Sequence, residues 1–235
     1  MLSLVLACAS FIVLHVVVSG TSLRGAIVAS IGERAYLGLF SLASLIVIIW
    51  MAWSYNEAVL GDNDIVWSLG PGVAHLAIPL VFIAFLLGVT GLMTPNPTAV
   101  QAGGLLDRDD PVKGITRITR HPFLWGVTIW AALHTLVNGD RASILFFGTF
   151  LLVALLGTTL IDAKRRREFG EKWTRFAQKT SNVPFAAILS GRNSLKLGEI
   201  GWGRLLIATA VFLAVLFIHP WLFGASPFPG GWVPY

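Results

Sequence analysis

Five histidines carry the reactive chemistry of this chain: His15, His75, His121, His134 and His219. Each lies in or at the end of an apolar run. An ionisable group inside a bilayer is costly, so an intramembrane histidine is a functional hypothesis by default. The competing reading of any one of them is a neutral imidazole hydrogen-bonded between helices. Neutral imidazole is a good ligand for iron, zinc and copper. Carboxylates, which zinc and di-iron sites use, are nearly absent from the apolar runs. The single cysteine, Cys8, excludes an internal disulfide and a Cys-x-x-Cys-His attachment. A non-covalent haem b fits this donor set best, since it needs one or two histidines and an apolar slot. Trp130 precedes His134 by one helical turn and shares its face, so it packs on a porphyrin or on a neighbouring helix.

The elements that position these residues follow from composition. Of 235 residues, 55% are hydrophobic and only 12% charged; mean hydropathy is +0.76. An average soluble domain is about one-quarter charged. Too few polar side chains remain to cover a water-facing surface. This excludes an ordinary cytosolic enzyme, a disordered tail and a disulfide scaffold. The reading is an all-α, polytopic membrane helical bundle in one domain. Runs of about 20 apolar residues mark spans, and six are expected: about 2–20, 35–53, 73–92, 122–138, 143–161 and 204–223. The fourth and fifth meet at Asn138-Gly139-Asp140-Arg141, residues suited to a tight turn. No Lys or Arg precedes Arg24, so the first run reads as a retained span rather than a signal peptide.

The net charge of +5 reads as membrane topology, not as a nucleic-acid surface. Every Lys and Arg except Arg141 falls on one side of the six-span arrangement. That side is then cytoplasmic, with both termini periplasmic, in a bacterial inner membrane. Residues 162–180 place Phe169, Trp173, Phe176 and Ala177 at helical spacing among Lys and Arg. This predicts an amphipathic helix on the inner leaflet. Lys164–Arg167 suits anionic lipid or is simply a solvated basic flank. Trp50, Trp53, Trp67, Trp221 and Trp232 mark the outer aromatic belt. In this frame His75, His134 and His219 share a depth near the outer face. His15 lies just inward of mid-membrane. His121 opens the fourth span at the inner face, about 20 Å along the helix from His134, too far to share one metal.

Two long motifs resemble a known family. Gly114-Ile115-Thr116-Arg117-Ile118-Thr119-Arg120-His121-Pro122 is followed by Trp130-Ala131-Ala132-Leu133-His134-Thr135-Leu136. Both look like the core of the NnrU family, whose members include the 15-cis-zeta-carotene isomerases. Ile31–Tyr36, Lys179–Ile188 with Gly191-Arg192, and His219-Pro220 extend the likeness over nearly the whole chain. The resemblance implies an association with nitrite and nitric oxide respiration. Its isomerase branch implies haem b, with ligands matching His134 and His15, and cis–trans chemistry on an apolar polyene. In that branch the first-span histidine sits about two residues nearer the following Leu-Arg pair. The branch also has a cysteine where this chain has Ala131. On depth alone, His219 and His75 are the alternative second ligands.

Arg120-His121-Pro122 with Gly126 also resembles, more distantly, the isoprenylcysteine-methyltransferase-like membrane enzymes. Ile161-Asp162 stands where those enzymes carry paired glutamates. A methyltransferase is therefore an alternative reading, and a non-enzymatic membrane assembly factor is another. Arg120 and His121 have a structural reading too: anchoring the helix start to phosphates or to the loop before the last span. Pro122 suits the first helical turn.

Overall fold

The computed structural model describes residues 1–231. Trp232, assigned above to the aromatic belt, lies outside them. The described residues form helices, short 3-10 turns and loops. Helix α1 (Leu2–Ile12) runs on into a π-helical stretch, Val13–Val18. It bends by 79° into α2 (Leu23–Ile31). Then come α3 (Glu33–Leu60), α4 (Pro71–Met93), α5 (Pro122–Asn138) and α6 (Arg141–Phe169). Three short helices follow: α7 (Glu171–Lys179), α8 (Ala186–Leu189) and α9 (Leu197–Ile200). The last is α10 (Trp202–Phe223).

Helices occupy all six segments read as spans, but they are not equal. By length and composition, α3, α4, α6 and α10 can each cross a membrane, and the bent first pair adds a fifth if counted as one span. Helix α5, at 17 residues, extends only about 25 Å. Pro122 fixes its first turn, and Gly139 in the left-handed conformation ends it. Asp140 then accepts the Ser143 N–H at 2.9 Å and caps α6. The loop before α4 clamps this turn. Asn63 donates to Asp140 at 2.8 Å, and the Val66 N–H bonds the Gly139 carbonyl at 2.8 Å.

Packing orders the bundle as α10 against α4, α4 against α5, and α5 against α6, with α1 and α3 on the far side of α6. The α4–α5 seam is made of small residues. A Cβ at Gly126 would sit 2.7 Å from the Ala84 carbonyl oxygen, and one at Gly91 would sit 2.9 Å from the Phe123 nitrogen. Such close backbones gain dispersion contacts where lipid supplies no hydrophobic drive between helices. Leu4, Ala7, Phe11, Met51, Ala58 and Ala142 form the α1–α3–α6 core. Phe212 of α10 packs on Phe82 and Phe85 of α4.

The expected interfacial helix over 162–180 is divided differently. Residues 162–169 complete α6, Gly170 breaks the chain at φ 50, and α7 follows. Its apolar face does not meet lipid. Trp173 and Phe176 are buried against Leu106 and Val112 of the loop before α5. Periodicity identifies an apolar face but not its partner, and a long loop supplied the partner here.

Candidate functional site

The histidines report their own tautomers. Nδ1 of His15 bonds the Phe11 carbonyl at 3.0 Å, and His75 Nδ1 bonds Pro71 at 2.8 Å. His134 Nδ1 bonds Trp130 at 2.8 Å, and His219 Nδ1 bonds Ala225 at 2.7 Å. A carbonyl oxygen only accepts, so Nδ1 carries the proton in all four and a neutral ring keeps its lone pair on Nε2. A metal-ligating histidine commonly donates its other ring N–H in this way.

His134 sits in an aromatic wall. Its ring lies 4.9 Å from Phe147 and 5.0 Å from Trp130. Trp130 meets Phe150 at 5.7 Å, Phe150 meets Phe11 at 5.2 Å, and Phe11 stacks on His15 at 4.0 Å. Rings from α1, α5 and α6 thus link the two histidines. Trp130 is one turn inward of His134, and His15 is one turn inward of Phe11. His15 and His134 therefore extend from opposite ends of this series of rings. His219, on α10, packs its ring 4.7 Å from Phe223 of the same helix. His75 is exposed in the first turn of α4 and makes no ring contact with another histidine among the described residues.

No three His, Cys, Asp or Glu side chains converge among the described residues. That donor set does not suit zinc or di-iron, which need more protein ligands. It does suit iron that arrives with four nitrogens of its own, because one free Nε2 beside aromatic rings then suffices.

The inner end of α5 is built differently. Arg120 grips Asp162 of α6 with Nε, at 2.9 and 3.0 Å, and with Nη2. His121 Nε2 donates to the same carboxylate at 2.7 Å and is 2% exposed. Burial pushes its pKa below the ordinary value, while the Asp162 carboxylate pulls it back up. The Arg120 carbonyl takes bonds from Asn96 and Thr98, and its N–H bonds Ser181. Trp125 and Thr158 meet on the Asn182 side chain. Arg120 and His121 thus tie the start of α5 to α6. Asp162 stood in the sequence only as a replaced carboxylate pair. Its ion pair spans more than 40 residues of chain and has no local signal.

The NnrU protein family model matches residues 3–227. The chain belongs to the NnrU family. Among curated proteins, this NnrU chain is 29% identical over 205 residues to the chloroplastic 15-cis-zeta-carotene isomerase of Arabidopsis thaliana, covering 83% of the chain and 54% of that protein. It is 29% identical over 231 residues to the Zea mays isomerase of the same name, covering 94% and 61%. The chain therefore spans little more than half the length of these relatives. No solved structure matches.

Proposed function

We propose that this NnrU protein is a haem-b-binding membrane protein with cis–trans isomerase-like chemistry on an apolar polyene. One observation carries the reading: His134 keeps Nε2 free beside an aromatic wall while Nδ1 is fixed by the Trp130 carbonyl. The relatives named as carotene isomerases supply the substrate class. A haem b would supply iron able to polarise a conjugated double bond or exchange an electron with it.

The chain's own residues do the rest. His134 would hold the haem iron through Nε2, and the Trp130 carbonyl fixes the ring and raises its basicity. Trp130, Phe147 and Phe150 keep water out. Ala131, fully buried, offers no thiol that could replace the imidazole. His219 is the favoured second nitrogen, because it shares the outer-face depth of His134 at the end of α10. The six helices cross a bacterial inner membrane, with the basic loops cytoplasmic and both termini periplasmic. Lipid borders the exposed apolar faces and admits the polyene. Service in nitrite and nitric oxide respiration belongs to the same proposal, through the haem.

The test is an absorption spectrum of detergent-purified protein after haem-replete expression, oxidised and then dithionite-reduced. A Soret band with reduced α and β bands is expected. A featureless visible spectrum would sink the proposal. The methyltransferase alternative finds less support, since Arg120, His121 and Asp162 are already engaged with one another.

A further inference from the structure

On the face of the basic loops, a cleft of about 480 Å³ opens between the loop before α5, the end of α7 and the turn after α8. That volume lies within the ~300–1,000 Å³ of small-molecule sites. Four cations line it: Arg117, Lys179, Arg192 and Lys196. Two carboxylates are near, and both are taken up by Arg117. Glu199 accepts its Nε at 2.7 Å and its Nη2 at 3.1 Å, and Asp110 stands 3.6 Å from Nη2. Arg117 is thereby neutralised and fixed. Lys196 reaches Glu199 only at 3.6 Å.

Lys179 and Arg192 have no carboxylate partner among the described residues. Arg192 is nevertheless held still. Its Nε bonds the Ser190 hydroxyl at 2.9 Å, and its Nη1 bonds the Gln178 and Thr180 carbonyls at 2.8 and 3.0 Å. Those carbonyls end α7, so the contact also caps that helix. Capping uses one edge of the guanidinium and leaves Nη2 free. A pinned arginine with a free edge, beside unpaired Lys179 and a Lys196 that Glu199 holds only at 3.6 Å, is preorganised for phosphate oxygens.

The surroundings place the cleft at a membrane surface. Leu189 is 85% exposed, Leu197 61% and Trp202 76%, and they flank the cationic residues in sequence. Apolar side chains reaching outward beside cations match the headgroup boundary.

We propose that this cleft binds a phosphate group at the membrane surface, through Lys179, Arg192 and Lys196. The phosphate belongs to a phosphomonoester lipid headgroup or to a free phosphate anion. This site is separate from the histidine wall and owes nothing to haem.

The test uses the full chain in neutral detergent. One arm titrates sodium pyrophosphate by calorimetry at low salt. The other counts phosphatidic acid adducts by native mass spectrometry, with phosphatidylcholine as the reference lipid. Pyrophosphate binding identifies a free-anion site, and selective phosphatidic acid retention without it identifies a headgroup site. In either case Lys179→Gln with Lys196→Gln should weaken binding at least tenfold, and Lys179→Arg alone should preserve it. Both lysines are exposed, so the double variant should melt with wild type. The proposal is overturned if neither probe binds. It is equally overturned if the double variant binds as tightly as wild type, or if Lys164→Gln with Arg166→Gln accounts for the whole loss.

Discussion

The Nδ1–H of His134 donates to the carbonyl oxygen of Trp130 at 2.8 Å, and this bond decides which ring nitrogen is left to act. If Nε2 holds iron, His134→Ala should lower haem content about tenfold or more. His134→Gln, which supplies no imidazole, should do the same. The pyridine haemochrome assay reads both. Full haem occupancy in either variant would remove His134 from the site.

His15 and His219 separate on the same assay. His15 stacks on Phe11 and lies on the inward side of the aromatic wall. His15→Ala should therefore leave the reduced spectrum in place. His219→Ala should move the iron toward high spin, with a broadened visible band. The reverse pattern would restore His15 as the second ligand.

Asp162 neutralises Arg120 and accepts the His121 Nε2–H at the inner end of the bundle. Removing one partner of a buried pair costs about 3–5 kcal/mol, because the remaining charge is left uncompensated. Asp162→Ala should lower the melting temperature in detergent sharply, even in haem-free protein. A melting curve like wild type would show that the pair contributes little.

The α4–α5 seam gives a signed prediction. Gly126→Ala gains about 1 kcal/mol of helix propensity, but its Cβ would meet the Ala84 oxygen at 2.7 Å and the Gly88 nitrogen at 2.8 Å. Both are backbone atoms that cannot rotate away, and overpacking of this kind costs about 1–3 kcal/mol. The variant should be destabilised. Gly148→Ala, with open space around its Cβ, should be neutral or stabilised. Equal melting temperatures in the pair would refute the steric account.

Glu199 lies in α9, outside the long helices. Hydrogen bonding from Arg117 lowers its pKa from the ordinary 4.5 to about 2. A depressed carboxylate stabilises the fold above its unfolded pKa, and this stability fades as pH falls from about 4.5 toward 2. Glu199→Gln should flatten that part of the acid-stability profile and lower stability at neutral pH. Parallel acid profiles for the two proteins would show that the pairing has no stabilising role.

Much of this protein is readable in one dimension. Apolar run length located six helical segments, of which four are long and apolar enough to cross a membrane and the bent first pair makes a fifth if counted as one span. The Asn138–Arg141 turn was readable for a similar reason: capping and left-handed residues act within a few positions. The motif residues Arg120, His121 and His134 stood out by type and setting. Membership of the NnrU family was legible because its motifs are long and contiguous.

Tertiary structure decided the rest, and in each case the missing information was a partner far along the chain. The face of α7 carrying Trp173 and Phe176 was visible as apolar, but only folding showed that Leu106 and Val112 cover it in place of lipid. Asp162 became the partner of Arg120 and His121 only when α6 came alongside α5. His15 and His134 were already placed at different depths by the sequence, but only folding joined them through the rings of Phe11, Phe150 and Trp130. Local rules act through backbone geometry and solvent, which a sequence window contains. Pairings between distant helices depend on which surfaces meet, and only the folded chain determines that.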